Sequence, residues 1–246
     1  MSIPLSQIYQ RAATLAERPE VAEAEQAYRA WCLQWSIDKV RAYDVALILS
    51  HPEVRIDRAI LLETGAAGSL FGCYVAERTW AGWMLDDYSG WPGGRVAYNE
   101  GPNRIEGETW PELWRRARGL GRVWPDTGDM LNIRFSDQGF DTVACLSAVE
   151  HVGSLANIEQ AMREMGRVLR PGGWLCVSPE MGEETFNAHG TWMLSEADLW
   201  RYIVEPSGCE LVPPYDLAWE HGTDKGPLHD DGREVTSAMM FLRKPA

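Results

Sequence analysis

The stretch that decides the fold is Phe140–Leu146, FDTVACL, with the helix-like segment Ser154–Leu169 and the apolar run Trp174–Ser178 after it. Apolar and β-branched residues fill both short runs, which is typical of strands buried on both faces of a sheet. Between them, apolar residues recur at the steps of three and four that mark one helix face: Leu155, Ile158, Met162, Met165 and Leu169. The stretch therefore predicts a strand–helix–strand unit.

The alternation of short apolar runs and helix-like segments continues on both sides of this unit. Upstream, strands are predicted at Ala59–Leu62 and Ala81–Leu85, with a helix at Ser69–Arg78 between them. Downstream, Glu210–Leu217 and Val235–Leu242 are predicted to close the chain as two strands of a hairpin. Such alternation indicates an α/β fold: a doubly wound, mostly parallel, seven-stranded sheet with a C-terminal antiparallel hairpin.

The N-terminal region looks helical over residues 3–50. We expect a helical cap in residues 1–55 and the main domain in residues 56–246, with a loop insertion at 88–108 that is rich in Gly, Pro and Asn. The cap either packs on the core as a further helical layer, closes over a ligand site as a lid, or joins two copies of the chain in a homodimer.

The composition of the chain excludes some classes of binding partner. The formal net charge of −13 repels phosphate backbones, so we do not expect nucleic acid as a partner. No stretch approaches the roughly 20 apolar residues of a membrane helix, so no membrane partner is expected either. The five cysteines show no paired short spacing, which favours reduced thiols in a cytoplasmic protein.

Small residues form the turn after the first predicted strand, Glu63–Ser69, ETGAAGS. Ligands of parallel sheets bind beyond the carboxyl ends of the strands, where such a turn lets them approach the backbone. The turn is not a dinucleotide fingerprint, because that pattern needs glycines where Ala67 and Leu70 stand. At the tip of the second strand, Asp86 or Asp87 can take both hydroxyls of a ribose.

A series of motifs follows in the second half of the chain: Gly128-Asp129-Met130, Phe140-Asp141-Thr142-Val143, Glu150-His151, and Arg167–Gly173, RVLRPGG. In this order they resemble the type 11 family of class I S-adenosylmethionine-dependent methyltransferases, and the likeness extends over residues 58–215. The resemblance implies a Rossmann-like fold, S-adenosyl-L-methionine as the cofactor, and a transferase that methylates O, N or C of a small-molecule or sugar-like acceptor.

The resemblance also implies roles for particular residues. It assigns the cofactor to Glu63, Gly65, Ala67, Asp86, Asp87, Asp129, Met130 and Ser147. Within this set, Asp129 accepts from the adenine amino group, and Asp87 matches the ribose-binding acid better than Asp86. His151 is the candidate catalytic base, with ordering of its loop as the alternative role.

A departure from the family pattern and several residues without an assigned role keep other interpretations open. Ala67 and Ser69 stand where the family usually has glycines, so a catalytically silent protein that binds the cofactor or a partner is the alternative function. Histidines and acids in the loop between the two strands of the predicted hairpin match no closed metal site, and we expect no metal; they are His221, His229, Asp230 and Asp231. Glu180, His189 and Trp192 are either acceptor-pocket residues or ordinary loop residues.

Overall fold

The computed structural model describes residues 10–11, 18–33, 42–66, 71–86, 122–188, 190–212, 216–217 and 235–246. Their strands are, in chain order, β1 Gln10–Arg11, β2 Ile60–Thr64, β3 Ala81–Asp86, β4 Val123–Thr127, β5 Phe140–Leu146, β6 Leu169–Ser178, β7 Glu180–Gly182, β8 Phe186–Ala188, β9 Thr191–Met193, β10 Glu210–Leu211, β11 Asp216–Leu217 and β12 Val235–Arg243.

One sheet forms the centre of the fold. Strands β12, β6, β5, β2, β3 and β4 lie side by side in that order. Neighbours among β2–β6 are parallel, while β12 runs antiparallel to β6 and to β11. The predicted mostly parallel α/β sheet with a C-terminal antiparallel hairpin is confirmed, and the short strands β1, β7 and β10 extend it beyond the seven strands expected.

Helices cover both faces of this sheet. They are α1 Pro19–Leu33, α2 Ala42–Ser50, α3 Phe71–Tyr74, α4 Leu155–Val168, and α5, which runs through Glu196–Leu199, a π-helical stretch Trp200–Val204, and Glu205–Ser207. Side chains of β5 alternate between two hydrophobic clusters, with Ala144 among α1–α3 and Cys145 among α4 and α5. The alternation follows from the two-residue period of a strand, so the sheet separates two buried layers.

The helix α4 is bounded by local hydrogen bonds. Ser154 caps its start, since the Ser154 hydroxyl oxygen accepts from the Asn157 backbone N–H at 3.1 Å. At its end the Lys244 ammonium donates to the carbonyls of Gly166 and Leu169, both at 2.7 Å. The predicted end at Leu169 comes one residue late, because Leu169 is already extended and begins β6.

The N-terminal region differs from the expectation of continuous helix. Gln10–Arg11 is a short strand that pairs in parallel with β11, a long-range contact that no local pattern reveals. Helix α2 is buried along Ala42–Ile48 and packs in the same hydrophobic cluster as Trp174 and Phe241 of the sheet. It forms a layer of the core, while the division at residue 55 stays a prediction.

At the amino ends of the parallel strands, charges are paired within the protein. The Asp141 carboxylate accepts from the Ile60 backbone N–H at 2.7 Å and lies 2.7 Å from a guanidinium nitrogen of Arg170. Arg243 and Arg78 are paired with the acidic residues Glu53 and Asp57 at the same edge. Among the residues described, no helix is long and apolar enough to cross a membrane.

Candidate active site at the carboxyl edge of the sheet

Backbone hydrogen bonds bring the tips of β2, β3 and β4 together at the opposite edge. The Gly65 N–H, just after β2, donates to the Leu85 carbonyl of β3 at 2.9 Å. The Gly128 N–H, just after β4, donates to the Asp86 carbonyl at 2.9 Å. The side chain of Asp86 is half-buried at the end of β3. Three turns that the sequence assigned to one ligand therefore lie next to one another.

Gly65 lets the turn after β2 approach its neighbours more closely than any other residue would. It has a φ of +66°, in the left-handed region that favours glycine. A Cβ placed on it would collide with Ala148 Cβ and would lie 3.3 Å from Met130 Cε. The turn after β2, the loop after β4 and the turn after β5 thus meet in close contact at Gly65. This meeting point lies at the carboxyl edge of the sheet, where parallel sheets bind their ligands.

Glu63 supports this turn from inside. Its side chain is fully buried, and one carboxylate oxygen accepts from the Gly72 backbone N–H at 2.9 Å. Gly72 lies in the first turn of α3, so Glu63 ties the end of β2 to the start of the next helix. A Cβ on Gly72 would lie 2.9 Å from the same carboxylate oxygen, which explains a glycine at that position.

Asp129 stands exposed in the loop after β4. One of its carboxylate oxygens accepts from the Leu131 backbone N–H at 2.8 Å, and this bond turns the chain just beyond the half-buried Met130. A carboxylate can accept about four hydrogen bonds, so this one leaves capacity for a further donor. The arrangement agrees with an acid that meets an amino group of a ligand.

Ser147 follows β5 in a left-handed backbone conformation, with a φ of 50°. Its N–H donates to the Ser178 carbonyl at 3.1 Å, and its hydroxyl donates to a carboxylate oxygen of Glu150 at 2.9 Å. Glu150 is fully buried. Sequence reasoning named Ser147 and overlooked the role of Glu150, although Glu150 belongs to the Glu-His motif that was recognised.

His151 lies at the rim of this turn, with its side chain half exposed. Its Nδ1 is 3.1 Å from the Thr191 hydroxyl on β9, and its Nε2 is 4.0 Å from the Glu150 carboxylate. The Trp192 indole N–H donates to the Gly153 carbonyl at 3.1 Å, so β9 is fastened over the turn that carries His151. Thr191 had no signal in the sequence, because the contact spans 40 residues.

Some candidate residues lie outside the described part of the chain. Ala67 and Asp87 of the expected cofactor set belong there, as does His189. Among the residues described, no group of three or more His, Cys, Asp or Glu side chains is arranged to hold a metal ion. Burial raises the pKa of the Cys145 thiol to about 12, so this cysteine next to the site is held as a neutral thiol.

Comparisons with known families agree with this geometry. A family model described as a methyltransferase domain, of the type 11 group, matches residues 101–177, so this part of the chain is similar to that family. The match begins after the Glu63–Ser69 turn, so the cofactor residues it contains are Asp129, Met130 and Ser147. The family match and the fold support S-adenosylmethionine as the cofactor.

Curated relatives match parts of the chain. "Methyltransferase GfsG" of Streptomyces halstedii is 30% identical over 125 residues, which cover 46% of this chain and 44% of that protein. "Probable tRNA methyltransferase 9B" of Mus musculus is 41% identical over 49 residues, 20% of this chain and 11% of that protein. The chain thus matches less than half the length of these relatives.

Solved structures share the fold at low identity. The 1,6-didemethyltoxoflavin-N1-methyltransferase of Burkholderia thailandensis, solved with 1,6-didemethyltoxoflavin and S-adenosylhomocysteine, has a TM-score of 0.57 and 15% identity. The alignment covers 100% of this chain and 92% of that one. The [4+2]-cyclase SpnF has a TM-score of 0.60 and 17% identity, with 84% and 82% covered. These likenesses show the methyltransferase fold.

Proposed function

We propose that this protein transfers the methyl group of S-adenosyl-L-methionine to O, N or C of a small-molecule or sugar-like acceptor at the carboxyl edge of its sheet. The observation that carries the proposal is the convergence of three turns around Gly65 at the carboxyl edge, in a fold shared with methyltransferases and with a methyltransferase-domain match over residues 101–177. GfsG and the toxoflavin enzyme, which are named as methyltransferases, support the same reaction class.

Each residue of the candidate site has its own role in binding the cofactor. Gly65 and Ala67 let the cofactor approach the backbone, and Glu63 holds that turn in place. Asp86 or Asp87 takes the ribose hydroxyls, Asp129 and the Met130 N–H take the adenine, and Ser147 adjoins the methionine part. When bound, S-adenosylmethionine supplies a methyl group already activated on a sulfonium. The protein contributes alignment and exclusion of water, which lower a barrier by roughly 7–11 kcal/mol in well-oriented systems.

His151 is the proposed general base for an acceptor that carries an O–H or N–H. A neutral imidazole whose Nδ1–H donates to the Thr191 hydroxyl presents a lone pair at Nε2. After Nε2 takes the acceptor's proton, the imidazolium lies 4.0 Å from the buried Glu150 carboxylate, which stabilises it. The Ser147 hydroxyl, through its bond to Glu150, holds that carboxylate in place.

The charge of the chain favours a small acceptor over nucleic acid. A net charge of −13 opposes association with a polyanion, and the match to the tRNA methyltransferase covers only 11% of that protein. The five cysteines are all free and buried, which supports a reducing, cytoplasmic location. A homodimer is the proposed assembly.

The test is transfer of labelled methyl from S-adenosylmethionine into two separate substrates, a metabolite extract below about 1 kDa and total tRNA. We expect label in the small-molecule pool only. His151→Gln should lower transfer by about 10²–10⁴-fold while leaving affinity for S-adenosylhomocysteine unchanged. Label in tRNA would overturn the small-molecule assignment, and full transfer by His151→Gln would remove His151 as the base.

The alternative is a protein that binds the cofactor without transferring a methyl group. The specific observation in its favour is the likeness to a [4+2]-cyclase, because it shows that this fold also occurs in proteins named for another reaction. Binding of S-adenosylhomocysteine with no label in either pool would favour this alternative.

A further inference from the structure

One face of α4 is bonded to the loop that follows β4. Gln160, Glu164 and Arg167 stand four and three residues apart, so they share that face. The Gln160 amide donates to the Leu131 carbonyl at 3.2 Å, and a Glu164 carboxylate oxygen accepts from the Ile133 N–H at 2.8 Å. The loop is thereby held along its backbone, independently of its side chains.

Arg167 is the centre of this contact. Its guanidinium donates to the carbonyls of Ile133 at 2.6 Å and Phe135 at 2.9 Å, and to the Asp137 carboxylate at 2.7 Å. Two further bonds, at 2.8 and 2.7 Å, go to the two carboxylate oxygens of Glu164. This fork-to-fork pairing is the geometry in which an arginine and a carboxylate bind most strongly.

The pair stays charged across the physiological range. The hydrogen bond from Arg167 holds the pKa of Glu164 below its ordinary value, and Glu164 in turn raises the pKa of Arg167. Most of the Arg167 side chain is covered, at 31% exposure. Three of its five bonds go to the loop and not to Glu164, so the pair fastens α4 to the loop in addition to stabilising the helix.

The loop that α4 anchors carries Asp129. This acid bonds to the Leu131 N–H, and the carbonyl of the same Leu131 is held by Gln160. The next anchor, Ile133, is bonded on both its N–H and its carbonyl by Glu164 and Arg167. Because Asp129 itself is exposed, its direction depends on the anchored backbone within four residues of it.

We propose that Glu164 and Arg167 are a positioning pair that fixes the Asp129–Met130 turn for the adenine of the cofactor. The inference rests on the proposed function. It gives Arg167, the first arginine of the RVLRPGG motif, a role in cofactor binding. Rigid support of this kind raises affinity because the binding groups need no reordering when the ligand arrives.

A matched control lies on the same helix. Arg163 pairs with Glu159 in a similar helix-surface contact, and it makes no bond to the loop in the hydrogen bonds of the described residues. Arg163→Gln therefore removes an arginine–glutamate pair of α4 without touching the loop. Any effect of Arg167→Gln beyond that of Arg163→Gln is attributable to the loop contact.

The experiment is calorimetric titration of S-adenosylhomocysteine into the wild type, Arg167→Gln, Arg167→Lys, Glu164→Gln and Arg163→Gln, below the melting temperature of each. We expect Arg167→Gln and Glu164→Gln to weaken binding by about tenfold or more, since the turn must be ordered on binding. Arg167→Lys should lie between these and the wild type, because an ammonium keeps the charge but not the fork. Arg163→Gln should bind like the wild type.

A second measurement separates the possible failures. Hydrogen exchange at the Ile133 amide of the ligand-free protein should be faster in Glu164→Gln and Arg167→Gln than in Arg163→Gln. Wild-type affinity in folded Arg167→Lys and Glu164→Gln would overturn the positioning role. No binding by the wild type, with the expected exchange pattern, would instead mean that the proposed function has failed and the adenine role with it.

Discussion

Two carboxylates, one at each edge of the central sheet, lie in opposite environments. At the amino edge, Asp141 is buried and is compensated by the Arg170 guanidinium and the Ile60 N–H. At the carboxyl edge, Asp129 is exposed and accepts from the Leu131 N–H, a backbone donor that leaves its negative charge in place. The comparison indicates that Asp141 stabilises the fold, whereas Asp129 is available to a ligand.

The largest effect that would test this comparison is expected at Gly65. Gly65→Ala combines a left-handed backbone with a collision against Ala148, so we expect the free energy of unfolding to fall by about 2–4 kcal/mol. Affinity for S-adenosylhomocysteine should be lost in the same variant. Denaturant unfolding and calorimetric titration measure the two effects.

Gly208 provides the control for Gly65. Its φ is +64°, and a Cβ there would meet nothing within 4 Å. Gly208→Ala should therefore lower the free energy of unfolding by only about 1–2 kcal/mol, the cost of the left-handed backbone, with ligand affinity unchanged. Equal effects of the two variants on affinity would contradict a ligand site at the Gly65 turn.

The next effect compares the two carboxylates directly. Asp141→Asn removes the charge that faces Arg170 and should lower the free energy of unfolding by about 1.5–3 kcal/mol, with unchanged ligand affinity in the folded protein. Asp129→Asn should change stability by less than about 0.5 kcal/mol and weaken S-adenosylhomocysteine binding about tenfold. Thermal unfolding and calorimetric titration of both variants measure the two effects. Loss of affinity in Asp141→Asn with loss of stability in Asp129→Asn would contradict the comparison.

A smaller effect concerns His51, beneath the amino edge. Its ring packs on Trp174 and Phe241, and its Nδ1 accepts from the Glu53 and Val54 N–H groups. Burial lowers the pKa of His51, against an opposing influence of Glu53. Its stabilising contribution is therefore present above an unfolded pKa of about 6.5 and is lost as the pH falls through the lower folded value.

The measurement is the free energy of unfolding of the wild type and His51→Asn between pH 7.5 and 5. The wild type should lose stability on acidification more steeply than the variant, by less than about 1.4 kcal/mol per pH unit. If the free energies of unfolding of the two proteins fall in parallel with pH, the pKa of His51 does not change on folding and the prediction is wrong.

Strongly periodic elements could be predicted from the sequence. Phe140–Leu146 was predicted with its observed bounds, and α4 was predicted within one residue at each end, because every turn of that helix buries an apolar side chain. The bounds of β6 were wrong at its start. Arg170–Gly173 looks like a turn in the sequence, but the Gly172 N–H bonds to the distant Lys244 carbonyl and joins the segment to the sheet.

The positions of candidate site residues could be predicted where a motif carries them and not where long-range contacts do. The family pattern pointed to Asp129, Ser147 and His151, and the structure places each at the carboxyl edge, while their roles stay predictions. Thr191 and the loop partners of Arg167 gave no signal, because these contacts are fixed only once the chain is folded. Their residue types are ordinary at exposed positions, so composition and spacing do not mark them.

The most direct test of the central claim, that the carboxyl edge binds an adenosyl cofactor, is thermal unfolding with S-adenosylhomocysteine or NAD. At 100 times its dissociation constant, S-adenosylhomocysteine should stabilise the fold by about 2.7 kcal/mol and raise the melting temperature by about 5–10 °C. NAD should leave the melting temperature unchanged. A rise with NAD and none with S-adenosylhomocysteine would contradict the account.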